Sequence, residues 1–124
     1  MNRSRFEAVV ESALASLPAE LREKMQNVQI VIEDWPEPEL LEEMGLDPDQ
    51  DILYGLYLGT PLTEREFDAV APLPDKISIY QKALEEDFGD DVEELKREIR
   101  TTVVHELAHH FGIEDDELEE LGWE

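Results

Sequence analysis

At 124 residues, with 33 acidic against 10 basic side chains and a formal net charge of -23 at pH 7, the chain is long enough for one real core and too short for a second. Such a field repels nucleic acid and anionic membrane and attracts cations and basic peptides, so nucleic acid and membrane are not expected partners, and the acidic runs read first as solvated surface. There is no cysteine, which excludes a disulfide framework and thiolate metal ligands.

Arg3 and Arg5 form an early basic pair, but Glu7 and Glu11 interrupt any apolar run of signal-peptide length, and nothing reaches transmembrane length. The expectation is a soluble, cytoplasmic monomer with a single domain over residues 1–124. Ser4 can cap a first helix whose apolar residues Phe6, Val9, Val10, Ala13, Leu14 and Leu17 recur at helical spacing. Pro18 ends it or opens a second turn through Leu21. Val28 to Glu33 is β-branched and partly alternating, hence a strand, stopped by Trp35-Pro36-Glu37-Pro38. Glu39 to Met44 is a helical turn ending at Gly45, followed by the polar turn Asp47-Pro48-Asp49-Gln50.

Ile52 to Leu58 predicts a second strand, in which Gly55 marks a bulge or a close backbone approach. Tyr54 and Tyr57 fall on opposite faces if that strand is regular. One of them could reach a cleft and hydrogen-bond an oxyanion, although packing is the commoner use of a strand tyrosine. From Gly59 to Leu73 turn residues and weak periodicity predict a loop, with Arg65 paired to a neighbouring carboxylate. Lys76-Ile77-Ser78-Ile79-Tyr80 alternates polar and apolar and predicts a third strand, at an edge. Ala83 to Phe88 is a short helix ended by Gly89. Asp90 can cap a long helix with the core stripe Val92, Leu95, Ile99, Val103 and Leu107. Thr101 to Val104 are poor helix formers, so burial must offset their propensity.

That helix carries His105-Glu106-Leu107-Ala108-His109. At about 100° per residue, His105 and His109 share one face, one turn apart, and can hold one metal ion with a coordination position left open. All 3 histidines of the chain fall between positions 105 and 110, a cluster that chance scattering would rarely produce. Glu106 lies beside the ligand face, where it can accept a proton from water without occupying the metal. Gly112 lets the helix end in a left-handed turn, so that the chain doubles back and presents Asp115 as a third ligand. His110 points about 100° away from His109 and is not a candidate ligand. A turn from Asp116 to Leu121 ends at Gly122, and Trp123 can pack back on the body.

The pattern H-E-x-x-H-x-x-G-x-x-D, with Asp115 at its end, resembles the extended motif of zincin metallopeptidases in the variant where Asp replaces a third His. Tyr54-Gly55-Leu56-Tyr57, Gly59 to Arg65 and Pro74 to Tyr80 also resemble segments of the bacterial minimal zincin-like metallopeptidases. The first half carries no specific signature. The resemblance implies an α+β, zincin-like fold, a small mixed β-sheet packed on an N-terminal helix and a long active-site helix. It implies one Zn2+ on His105, His109 and Asp115, with Glu106 as general base, and it assigns to the 76–80 strand the alignment of an extended peptide by β-augmentation. No Met-turn follows the motif, since Met1, Met25 and Met44 all lie upstream, and few residues follow Asp115. The cleft is therefore expected to be shallow or completed by something else, which favours peptides or small proteins, basic ones included, and a narrow substrate range. Two other readings stay open. One is a metal-dependent binding module whose catalysis has decayed, the other an acidic-surface protein that binds a basic partner.

Overall fold

Asn2, not the predicted Ser4, opens helix α1 (Arg3–Ala15): its side-chain oxygen accepts the Arg5 N–H at 2.8 Å. Starting the helix this early places the Arg3 guanidinium on Ile32 O at 2.7 Å and on the Asp34 carboxylate at 2.5 Å, which ties the helix to the end of the first strand. Phe6, Val9, Val10 and Ala13 form the buried stripe, Leu17 follows it into the core, and Leu14 packs at its margin. Pro18 starts α2 (Ala19–Lys24), which buries Leu21. The computed structural model describes residues 1–59 and 75–122, the side chain of Asp115 excepted. The expected loop between Gly59 and Leu73 beyond its first residue, the pairing of Arg65 and the packing of Trp123 lie outside the described residues.

Strand β1 (Val28–Glu33) has the predicted bounds. Helix α3 (Pro38–Glu43) ends at Gly45 as expected, with φ 78° in the left-handed region. In the turn that follows, Asp49 N–H donates to Asp47 Oδ1 at 2.9 Å. Strand β2 (Gly55–Leu58) is shorter than the predicted Ile52–Leu58. Its partner β3 (Asp75–Tyr80) explains the loss. Gly55 lies opposite Ile79, Tyr54 O still accepts the Tyr80 N–H at 2.9 Å, and β3 then turns directly into a helix, so Ile52 and Leu53 have no strand to face.

The sheet order is β1-β3-β2, with β3 parallel to β1 and antiparallel to β2. The edge position expected for the 76–80 strand is therefore wrong. Its alternation suggested a solvated face, but Ser78 is only 1% exposed, between Ile77 and Ile79 at 0%; a hydroxyl is small enough to be buried in a central strand. Substrate pairing cannot be assigned to β3, because both of its sides are occupied. Among the described residues β1 and β2 are the outer strands.

Helix α4 (Gln81–Phe88) leaves β3 without a break, two positions before the predicted start, and ends at Gly89. Asp91, not Asp90, caps the long helix α5 (Val92–His110): its Oδ1 accepts Glu93 N–H at 2.9 Å and Glu94 N–H at 3.5 Å. Val92, in the first turn, is exposed rather than in the core stripe, because the helix meets the core only from Leu95 onward. Leu95, Ile99, Val103 and Leu107 are all fully buried against α1 and the sheet. Val103 and Val104 show how burial overrides propensity. Each buried valine gains about 1.5–3 kcal/mol, against a helix-propensity cost of roughly 0.7 kcal/mol or less. A last helix, α6 (Asp115–Leu121), returns along the body, buries Leu118 and ends at Gly122 with φ 71°. The architecture is the α+β one expected, among the described residues a three-stranded mixed sheet packed on α1 and α5. No helix among the described residues is long and apolar enough to cross a membrane.

Candidate metal centre

Helix α5 presents three different stripes. One is the apolar stripe just described. A second, Thr102, Glu106 and His110 at intervals of four, runs along β2 against alternate residues Gly55, Tyr57 and Gly59. A Cβ on Gly55 would stand 2.6 Å from Thr102 Cγ2, and one on Gly59 would stand 3.1 Å from His110 Cε1. The glycine in the strand thus marks a close approach of helix to backbone, one of the two options read from the sequence. The third stripe carries His105 and His109.

The two imidazoles sit one turn apart with ring centroids 6.3 Å apart and planes within 18° of parallel. Two imidazoles one turn apart on one helix face are nitrogen ligands of the kind a single zinc ion takes. His105 is half-buried and His109 exposed, so the first ring is anchored by packing and the second opens to solvent. Beyond His110 the helix closes in a left-handed turn. Gly112 has φ 72°, Gly112 N–H donates to His109 O at 3.2 Å, and Ile113 N–H donates to Ala108 O at 2.8 Å. This turn is the one expected, and Ile113 seals it by packing on the core.

The turn sends the chain back past His109. A concavity of ≈ 550 Å³ is lined by His109, Gly112, Ile113, Glu114 and Asp116. Asp115 lies between two of these residues as the first residue of α6, and its side chain is outside the described residues. Among the described residues no three His, Asp or Glu side chains are grouped to hold a metal. The structure thus brings His105, His109 and Glu106 together, and for Asp115 it gives the backbone position alone.

Glu106 is half-buried, and burial pushes its carboxyl above the usual carboxylate range. The Tyr57 N–H, then His109 and His105, pull the other way. The Tyr57 amide donates to Oε2 at 3.1 Å, which holds the carboxylate between the strand and the imidazole stripe. A carboxylate that binds a proton more readily than a free one, fixed beside two imidazoles, suits a general base.

Sequence reasoning missed what surrounds Tyr57. Its hydroxyl donates to Asp75 Oδ2 at 2.5 Å, and its ring stacks on His110 with centroids 4.0 Å apart and planes 16° from parallel. His110 is thus engaged by residues of the sheet. The only advance signal was Gly55, which announced a close neighbour without naming it. Tyr54 lies just before β2 rather than on it. Its hydroxyl donates to Asp87, a bond that, with burial, pushes the phenol up to about 12, so Tyr54 is a packing residue.

Compared with known protein families, residues 25–123 match the model of the zincin-like metallopeptidases. The match takes in the whole sheet and both helices around the candidate centre, and leaves out α1 and α2. No curated protein matches the chain. With most of its length matched, the chain belongs to the zincin-like metallopeptidase family.

Proposed function

We propose that this family member is a zinc-dependent peptidase in which His105, His109 and Asp115 hold one Zn2+ and Glu106 is the general base. The observation that carries the reading is the placement of Glu106, fixed by the Tyr57 amide beside two near-parallel imidazoles on one helix face. Two neutral nitrogens and one carboxylate suit zinc, and the turn at Gly112 returns the chain so that Glu114 and Asp116, the neighbours of Asp115, share a concavity with His109. Zinc held there supplies a Lewis acid with an open position for a carbonyl or water.

The chain's own residues do the rest. Tyr57 donates to Oε2 of Glu106, and proton exchange is placed in this proposal on the other oxygen, Oε1. That oxygen takes a proton from the attacking water and delivers it to the leaving amine, while burial of the carboxyl keeps its affinity for the proton high enough for the first transfer. Packing of Val103, Val104, Leu107 and Ala108 around the ligand positions holds α5 still, so the two imidazoles keep their spacing without a ligand on a loop.

The substrate is a peptide or small protein, with basic residues favoured. The overall charge of -23 and the acidic lining at Glu114 and Asp116 support that preference. We take the protein to work as a cytoplasmic monomer, apart from nucleic acid and membrane. The test is elemental analysis of the full chain purified without chelator, alongside His109→Ala and Asp115→Ala. Near-stoichiometric zinc in the native chain and its loss in both variants is expected. Equal metal in all three proteins overturns the ligand set.

A further inference from the structure

Tyr57 faces Ile77 across the β2–β3 ladder, yet its N–H donates to Glu106 and not to β3. In an antiparallel ladder such a residue turns its amide to the outer edge, where its hydrogen bond depends on what lies alongside. Here that is the carboxylate of Glu106.

The side chain of the same tyrosine is tied to both neighbouring elements. Its hydroxyl donates to Asp75, whose carboxylate is 12% exposed, and its ring stacks on His110, one helical turn after Glu106. His110 Nε2 lies 3.7 Å from the same Asp75 oxygen, so the three side chains close on one another. One attachment runs to the first residue of β3 and the other to α5. The amide between them is therefore held at a set height along the helix, level with Glu106.

From this we infer that Tyr57 is a positioning residue: its amide holds the Glu106 carboxylate beside the imidazole stripe, and the clamp of Asp75 and His110 on its ring fixes that amide. The inference rests on Glu106 being the general base proposed above. A carboxylate on a flexible three-bond stem, one position from His105 and three from His109, has ready access to the ion-binding face. A donor on the opposite side keeps it off that face and at the distance proton transfer needs.

The test compares the zinc-loaded full chain with Tyr57→Phe, Asp75→Ala and Glu106→Ala. It uses amide hydrogen exchange at residue 57, zinc content, and kcat and KM on a peptide selected from an unbiased library. Glu106→Ala should speed exchange of the Tyr57 amide by about tenfold, the factor expected for one lost hydrogen bond. Tyr57→Phe keeps the stacked ring and removes only the hydroxyl; it should also speed that exchange and lower kcat severalfold, with KM, zinc content and melting temperature close to native. Asp75→Ala approaches the same link from β3 and should behave alike. Unchanged exchange in Glu106→Ala would remove the bond itself from the account. Loss of zinc or of melting temperature in step with kcat, in both clamp variants, would make the clamp merely structural and overturn the inference. If the native chain cleaves nothing while the amide readouts behave as stated, the peptidase reading fails and the positioning of the carboxylate stands.

Discussion

The Tyr57 amide and the Glu106 carboxylate are 49 residues apart in the chain and 3.1 Å apart in the fold. That contact joins an outer strand to the helix bearing both histidines, so what disturbs the approach of β2 to α5 should disturb the site as well.

Gly55 controls that approach. A methyl group there would meet Thr102 Cγ2 at 2.6 Å and Ser78 O at 3.0 Å, the second of which is backbone and cannot swing away. Gly55→Ala should cost about 1–3 kcal/mol, the usual range for overpacking. Thr102→Ser removes the clashing methyl, so the double variant should recover part of the loss. Denaturant melts of the four proteins of this cycle check it, with non-additivity of at least about 0.5 kcal/mol expected for residues in contact.

Glu106 gives the metal-free protein a stability that depends on pH. Burial raises its carboxyl above the unfolded value, so the folded state binds the proton more tightly than the unfolded one. Its contribution is fully present below the ordinary glutamate value of about 4.3 and is lost as pH rises through the folded value. Metal-free Glu106→Gln cannot ionise there and should melt higher than metal-free native protein at pH 7. The gap should close as the pH falls toward 4. Thermal melts across that range decide it, and a gap that widens on acidification would reverse the sign.

Gly112 has a φ of 72° with nothing within 4 Å of where a Cβ would stand, so the conformation, not space, demands glycine. Gly112→Ala should cost about 1–2 kcal/mol through the left-handed backbone alone, and Gly112→Asn less, since asparagine tolerates that region. Both variants leave His105 and His109 on their helix. Tm shifts ordered native, Asn, Ala are expected, and equal shifts for Asn and Ala would point to packing instead.

What the sequence made legible was local. His105, Glu106 and His109 could be read because helical spacing is set by the chain's own geometry, and Leu95, Ile99, Val103 and Leu107 for the same reason. The bounds of β1 and the turn at Gly112 were readable from β-branching and from glycine's freedom. The order of the strands was not, because pairing partners are chosen by distant residues: Lys76 to Tyr80 reads as an edge strand until β1 and β2 pair with it on its two sides. Caps slipped by one or two positions, Asn2 for Ser4 and Asp91 for Asp90, because neighbouring polar residues of similar capping strength compete. The hold on Glu106 could not be read at all, since the donor is a backbone amide, which every residue but proline carries. Asp115 stands in an acidic run with Glu114, Asp116 and Glu117, so composition alone could not single it out from its neighbours.

In the proposed mechanism Glu106 is the proton acceptor for peptide hydrolysis and not a ligand. The most direct measurement is cleavage of an unbiased peptide library by zinc-loaded native chain and by Glu106→Gln, each freed of contaminating proteases and assayed for bound zinc. Equal zinc in the two proteins is expected, with a loss of hydrolysis in Glu106→Gln of at least the ~10²-fold typical of a missing general base. Hydrolysis at the full native rate by zinc-loaded Glu106→Gln would contradict it.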